Sequence, residues 1–534
     1  MKDKKFDKGD FAMYHISKND KPDIGYMVNT LSKLMSRGVR LADCKKMRDY
    51  YSNMRDILKS DFTAKYGVQN PNSSQQLTSY IKRISEQVAL DSKNDIINIC
   101  FDDSTGKWTS NAEAMEKLAD LGYEFAMDLL DYRHAKKYAE AIEGVMVAAD
   151  ENGLVHPTVS LGKTNRVNYS NPGLMSLPKQ LLWNIVAPYT EGNVLYSVDI
   201  KNQEPSILIN MTGATELKYA LESPEGLYET MFKQCFCPKA IANVLIDTFA
   251  ENRVYKTSEL KAMGTISPAM YSAAKAQNAS MFYNGKRVVA IETICVGSEK
   301  GLKPELPDKV CIELEDGSID YAEVEWENFD KNIKRSNDYK VYGVLKGIDI
   351  NISKIERSEF KRSYLAFTYG ASAFGIKEMC KKIDGGQVYN YLSNISAIKE
   401  YRSAIDKHIK AGNTTICTIF GNRLYAGDDY DEKRLKRVML DLPIQGSAAD
   451  ILSLLIKHFY EYTDKNGLSD KLSLYYTRHD ELIIEVNGDW LKEVGASHVE
   501  SVLRDMLEHQ IDDWTPFKIE VEQVKSNTDI KIEE

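Results

Sequence analysis

A chain of 534 residues is too long for one ordinary domain and predicts two to four compact units. Apolar residues at 43% and charged residues at 28% give a globular composition, and the lack of any run of 18 apolar residues argues against a membrane span. A formal charge of −9 has the wrong sign for a passive nucleic-acid coat, although a basic groove can coexist with an acidic total.

Residues 1–23 are polar and lysine-rich and read as a loose tail, without the apolar stretch of a secretory signal. From Tyr26 to Arg37 the residues Met27, Leu31, Leu34 and Met35 recur at helical spacing, and Gly38 suits a C-terminal cap. A longer helical pattern over residues 111–147 carries Leu118, Leu121, Phe125, Leu129 and Leu130, then a basic cluster of Arg133, His134, Lys136 and Lys137. Taken alone, such a cluster reads as a solvated helix face. Between His156 and Asp199 short segments are broken by Gly, Pro and Asn, ending in YSVDI (196–200), a buried strand that closes on an acid. Residues 286–350 alternate or cluster β-branched side chains, with Asp316-Gly317 as a hairpin turn, and predict a small β-rich unit in a mostly helical region. Helical patterns return over 352–383, 390–411 and 434–463, followed by a strand over 473–486, a helix over 489–511 and a last strand. Eight scattered cysteines form no disulfide framework, and the Cys235/Cys237 pair lacks the partners of a zinc site. Reduced thiols and a cytoplasmic protein are expected.

Three segments carry chemistry. Asp199 closes an apolar strand, and in RHDELIIEV (478–486) two acids interrupt strand-like sequence. Acids in such places cost solvation energy unless a cation pairs with them, so each is a metal ligand or an exposed strand end. In RSEFKRSYLAFTYG (357–370), Arg357, Lys361, Leu365 and Tyr369 are four apart and share one helical face. Two cations, an apolar side chain and an aromatic ring in line suit a nucleotide; the plain alternative is a surface helix with its cations in water.

These segments occur together and in order, and the chain resembles the family A DNA polymerases, the group of bacterial DNA polymerase I and related phage enzymes. DIKNQEPS (199–206) is similar to the family motif D-Y-S-Q-I-E-L-R and keeps Asp199 and Glu204. RSEFKRSYLAFTYG is similar to R-x-x-x-K-x-x-x-F-x-x-x-Y-G, and His479, Asp480 and Glu481 match H-D-E. LPIQGSAADI (442–451) matches the helix before that third motif, and TNRVNYSNPGLMSLP (164–178) resembles a palm segment with several changes. GYMVNTLSKLMSRGVRL (25–41) and LLDYRHAKKY (129–138) resemble thumb helices, the second of which grips the duplex backbone.

The resemblance implies an α+β right-hand polymerase fold. Its parts would be a tail at 1–23, a helical thumb at 24–150, a palm at 151–208 and 412–534 built on an antiparallel sheet, and helical fingers at 209–411 with a β-rich insertion at about 255–348. It implies template-directed addition of deoxynucleotides to a primer 3′ end by two-metal phosphoryl transfer. Asp199, Asp480 and the Ile200 carbonyl would hold two Mg2+ ions, with Mn2+ as a substitute. Lys361 would meet the α-phosphate, Arg357 the outer phosphates, and Leu365 and Tyr369 the sugar and base; Glu204 would exclude a ribose 2′-hydroxyl. Arg166, Gln445 and His479 would sit at the primer end, with Arg437, Arg133, Lys136 and Lys137 as further DNA contacts. Glu481 matches a family acid that is not an obligatory ligand. The implied partners are primer–template DNA and deoxynucleoside triphosphates, with a protein or downstream DNA at the insertion, for a monomeric enzyme without membrane contact. A polymerase-only layout, with no room ahead of residue 24 for a proofreading exonuclease, fits a phage-type enzyme in its host's cytoplasm.

Departures from the family pattern are specific. Leu365 stands where the family has Phe or Tyr, Met175 replaces a polar palm residue, and Leu227 falls where many members have a phosphate-contacting His, with Tyr228 beside it as a replacement. Asp199 and Arg357 lie 158 residues apart, about three times the family interval, and the β-rich unit lies inside that excess. Two other readings compete. A single-subunit RNA polymerase shares the aspartates and the Lys–Tyr helix but lacks the acid at Glu204. A non-catalytic DNA-binding relative has no reason to keep Asp199, Lys361 and Asp480.

Overall fold

The computed structural model describes residues 21–87, 90–102, 105–236, 239–246, 254–255, 271–273, 280–298, 303–328, 339–380, 382–427, 431–508 and 517–524. The chain forms two compact units. The first holds the described residues of 21–201, 449–511 and 517–534, and the second those of 202–448.

In the first unit the helix Ile24–Arg37 begins where the Asp23 carboxylate accepts from the Tyr26 N–H and ends at Gly38, as its sequence pattern predicts. Helices Lys45–Tyr66, Ser74–Ser85, Leu90–Cys100, Ala112–Asp120 and Glu124–Val147 bury a common core of Phe62, Leu77, Ile81, Ile96, Met115 and Phe125. The single helix expected over 111–147 is two helices, because Gly122 takes a φ of 86° that side-chain-bearing residues rarely adopt. A four-stranded antiparallel sheet completes the unit, in the order Leu472–Arg478, Glu481–Val486, Val194–Lys201, Lys518–Gln523. Its inner strand Val194–Lys201 is buried from Leu195 to Val198 and first reaches solvent at Asp199. The stretch 473–486, expected as one strand, is a hairpin: His479 takes a φ of 55° and Arg478 pairs across the turn with Glu481. The helix expected over 489–511 is likewise two, Gly488–Val494 and Ala496–Glu508, and residues 509–511 lie outside the described residues.

In the second unit, helices Gln203–Thr212, Thr215–Glu222 and Leu227–Cys235 precede the β-rich insertion, and helices Lys354–Thr368, Ala373–Met379, Gly385–Ser393 and Ser396–Lys410 follow it. The insertion is wider than the expected 255–348, since its strands run from Lys239–Ile246 to Ile348–Asn351. Strand Lys286–Ser298 pairs in parallel with Lys239–Ile246 and antiparallel with Lys309–Leu314. From there the ladder passes through Ile319–Trp326 and Tyr339–Leu345 and returns to Lys239–Ile246, closing on itself. Asp316-Gly317 makes the expected turn, with Gly317 at a φ of 77°. The helix Glu432–Lys465, in which the chain passes from the second unit to the first, is long and apolar enough by composition to cross a membrane. Yet 89% of its most apolar window is buried within the protein, which marks a core helix.

Gly488 follows the strand that carries Glu481, and a Cβ there would run into the Gly192 carbonyl; its N–H meets Asn193 Oδ1 at 3.1 Å. Gly488→Ala should therefore cost about 2 kcal/mol of stability, read as a lower urea midpoint. An unchanged midpoint would mean that this end of the sheet yields freely.

Candidate active site

Asp199 faces an acid on either side. In register, Glu481 is its partner on one neighbouring strand and Glu520 on the other. Like charges opposite one another destabilise a sheet, and cations gather here in response. Glu481 is only 2% exposed; the Lys179 ammonium meets it at 3.0 Å, the Ser197 hydroxyl donates a short hydrogen bond to it, and the Arg478 guanidinium stands 3.9 Å away. Lys179 is also 3.7 Å from Asp199 and 4.6 Å from the centre of the Trp183 ring. Burial opposes the ammonium charge, but the bond to Glu481 and the charges of Glu481 and Asp199 outweigh it and hold the Lys179 pKa above its ordinary value. Lys201 pairs with Glu520 at 2.8 Å.

Asp480 occupies the turn between His479 and Glu481 and is partly buried, as is Asp199. The His479 imidazole is held below its usual pKa by burial, then by Arg478 and Arg166, with Asp199 opposing. Asp199, Asp480 and the Ile200 carbonyl offer only oxygen donors, a chemistry that suits a hard divalent cation such as Mg2+. Among the described residues no three His, Cys, Asp or Glu side chains converge as a complete cage. Two carboxylates and a carbonyl leave coordination positions for water and phosphate oxygens, the usual arrangement around Mg2+ at phosphate-transfer sites. Sequence reasoning missed Lys179 and Glu520; the one available signal for Lys179 was its place directly after the segment 164–178.

In the second unit a capping box between Ser353 and Glu356 starts the helix Lys354–Thr368. Its exposed face presents Arg357 and Lys361, with Leu365 and Tyr369 partly buried further along. The Tyr228 ring lies 5.8 Å from the Arg357 guanidinium and 5.5 Å from the Lys361 ammonium, and Glu229 approaches Arg357 at 3.4 Å. Leu227 and Tyr228 are both buried, and it is the Tyr228 ring that lies beside the two cations. Burial, and then the Glu204 charge, raise the pKa of the Tyr228 phenol, which stays neutral. At the end of this helix Gln445 donates one amide hydrogen to Glu204 Oε1 at 2.7 Å and the other to the Tyr369 hydroxyl at 2.7 Å. Burial and the Glu204 charge raise the Tyr369 pKa, and its hydroxyl also bonds Glu204. Glu204, Tyr369 and Gln445 are thus one closed network. Arg437, exposed, packs its stem beside Gly370, where a Cβ would come within 3.2 Å of it.

The expected basic patch is uneven. Arg133 is partly buried, and that burial lowers its pKa; Lys136 pairs with Glu140 at 3.2 Å; His134 and Lys137 are exposed. Arg166 begins the second arm of the hairpin Thr158–Leu161/Val167–Ser170 and is partly buried.

Residues 342–528 match the family model described as DNA polymerase family A, and residues 289–348 match that of a bacterial Ig-like domain (group 4). The chain is 29% identical over 171 residues to DNA polymerase I of Caldicellulosiruptor bescii, an alignment covering 29% of this chain and 20% of that protein. It is 20% identical over 499 residues to DNA polymerase I of Mycobacterium tuberculosis, covering 89% of this chain and 41% of that one. The chain therefore spans between a fifth and two fifths of these relatives' lengths. Among solved structures, the POL domain of Pol1 from M. smegmatis, in complex with DNA primer-template and dNTP, shares the fold. Its TM-score is 0.60 at 15% identity, over 93% of this chain and 69% of that one.

If Lys179 is the counter-charge that lets Glu481 sit buried, Lys179→Met should lower stability by about 1–2 kcal/mol, a figure discounted because the lysine is partly exposed. Adding Glu481→Gln should recover part of the loss. Strictly additive losses in urea unfolding of the double mutant would sever that coupling.

Proposed function

We infer that this chain, whose residues 342–528 match the family model for DNA polymerase family A, is a DNA-directed DNA polymerase that extends a primer along a template. The observation that carries this reading is Asp199 emerging at the end of a buried inner strand with Asp480 in the turn of the adjoining hairpin. On this reading residues 24–150 are the thumb, 151–208 and 412–534 the palm, and 209–411 the fingers. Primer–template DNA and deoxynucleoside triphosphates are the substrates; that the M. smegmatis neighbour was solved with both supports the assignment.

Mg2+ ions held by Asp199, Asp480 and the Ile200 carbonyl would supply Lewis-acid activation and neutralise charge at the phosphates. The remaining work belongs to side chains. Lys361 offers a cation, and a proton, to the phosphate that changes partners; Arg357 holds the outer phosphates, with the neutral Tyr228 ring beside both. Glu204, held by Gln445 and Tyr369, fills the space a ribose 2′-hydroxyl would need. That fixed acid favours DNA over RNA synthesis. On this reading His479 and Arg166 meet the primer end, where minor-groove acceptors are common to all base pairs.

Asp199→Asn and Asp480→Asn should each lower nucleotide incorporation by roughly 100-fold or more while leaving duplex binding nearly unchanged. A variant that keeps a tenth of the normal rate would remove that aspartate from the metal site. Glu204→Ala should raise ribonucleotide incorporation relative to deoxynucleotide by about tenfold, or roughly 1.4 kcal/mol of discrimination. Unchanged selectivity in competition assays would transfer the sugar gate to Leu365 or Tyr369.

A further inference from the structure

Five large apolar side chains exposed among the described residues belong to the β-rich insertion: Val289, Ile319, Tyr321, Tyr342 and Val344. Four of them share one surface. Along Ile319–Trp326, alternation turns Ile319, Tyr321, Glu323 and Glu325 outward, while Ala322 is buried and the Trp326 indole N–H donates to the Pro307 carbonyl at 2.7 Å. On the next strand Tyr342 and Val344 point outward between the buried Val341 and Leu345. Gly343 faces inward, where a Cβ would come within 2.7 Å of the Trp326 ring. Glu325 and Val344 are register partners, so both outward rows lie on the same face. Ile319 is 58% exposed, Tyr321 59%, Tyr342 40% and Val344 46%.

The surroundings of this patch are acidic. Residues 303–328 contain nine Asp and Glu against two Lys, a density that repels phosphate and excludes a backbone grip on nucleic acid. Part of that charge is used internally: Asp316 pairs with Lys286 at 2.6 Å, and Glu315 accepts from the Arg287 N–H at 3.2 Å. Glu327 accepts from the Tyr342 N–H at 2.9 Å, and Lys346 pairs with Glu325 at 3.2 Å, both in water. Ile319–Glu323 pair with Lys309–Glu313 and Val324–Trp326 with Gly343–Leu345, while the outward side chains stand clear of this pairing, so a partner lying across the face meets side chains and not backbone. Apolar side chains ringed by carboxylates, with two tyrosine rings open to cations, complement a segment that carries both Lys or Arg and apolar side chains.

We propose that this face of the insertion, centred on Tyr321, Glu323, Glu325, Tyr342 and Val344, docks a basic, apolar-bearing segment of a partner protein and not DNA. The contact places a tether on the polymerase at a surface that supplies none of its catalytic groups. It goes beyond the polymerase reading and does not depend on it, because docking is measured as binding and synthesis separately as incorporation.

The test uses the full chain and three fluorescent probes at low and physiological salt: a peptide alternating Arg and Leu, a peptide of equal length alternating Glu and Leu, and a short DNA duplex. Two variants alter the face, Tyr321→Ser with Tyr342→Ser and Glu323→Lys with Glu325→Lys; a third, Glu400→Lys with Glu493→Lys, makes the same charge change elsewhere. The Arg–Leu peptide should bind the wild type, and both face variants should weaken it by about tenfold or more, the scale of losing an interface anchor. The distant variant should stay within about twofold of wild type. Thermal melting and single-nucleotide incorporation should be unchanged in all three. Equal losses in the face and distant variants would reduce the binding to bulk charge and overturn the proposal, as would no loss in either face variant. Duplex binding that falls in the tyrosine variant while peptide binding holds would make the face a DNA contact instead.

Discussion

The first unit is organised around a row of three carboxylates laid across adjacent strands, Glu481, Asp199 and Glu520. Two unit charges about 5 Å apart repel by roughly 3 kcal/mol at an effective dielectric near 20. A sheet that buries its inner strand so thoroughly has no solvent to absorb that cost at Glu481. The surrounding side chains are explained by it. Lys179 reaches two of the acids, Ser197 and Arg478 complete the shell of Glu481, and Lys201 takes Glu520. Beside this shell stand the partly exposed strand end at Asp199 and the turn at Asp480, where on the polymerase reading a divalent cation would bind.

This arrangement also separates two roles among neighbouring acids. Glu481 is a register partner of Asp199, yet its side chain is committed to an ammonium and a hydroxyl of the protein. Asp199 and Asp480 are partly open, and the Lys179 ammonium lies 3.7 Å from Asp199. An acid already neutralised within the fold belongs to the frame of the sheet and adds little affinity for a metal. That is the physical ground for treating two of the three motif-level acids as ligands and the third as part of the frame.

Much of this was legible in the sequence because the telling signals are local. An acid closing an apolar run, and cations four apart on a helix, need only a few neighbouring residues to be read. Lys179 did not stand out among 69 basic residues, since its role exists only once the Val194–Lys201 and Glu481–Val486 strands are paired. The helix Lys45–Tyr66 was passed over although Met47, Tyr51, Met54, Leu58 and Phe62 recur in it at helical spacing; only Phe62 is fully buried. The hairpin at His479-Asp480 was read as one strand because its two-residue turn holds no Gly or Pro to mark it; His479 takes the positive φ that the turn requires. Strand Lys239–Ile246 was missed for a similar reason, its partners lying some 50 and 100 residues further along the chain.

The second unit answers a question raised by one departure in its sequence. Leu365 replaces an aromatic ring on the face that would meet the sugar, which removes one rigid surface for telling two sugars apart. Glu204 remains, but a glutamate free to change rotamer makes a poor steric barrier, because a ribose would simply push it aside. In this chain it is not free. Gln445 holds it from the helix Glu432–Lys465, and Tyr369 holds it from the end of Lys354–Thr368. The helix that carries Glu204 starts at Asn202, whose φ of 52° fixes the turn out of the preceding strand. Three segments far apart in sequence thus fix one carboxylate. Moving it would cost two hydrogen bonds in a partly buried site, each worth about 1–3 kcal/mol when one partner is charged. On the polymerase reading, selectivity lost in shape at Leu365 is regained in stiffness at Glu204.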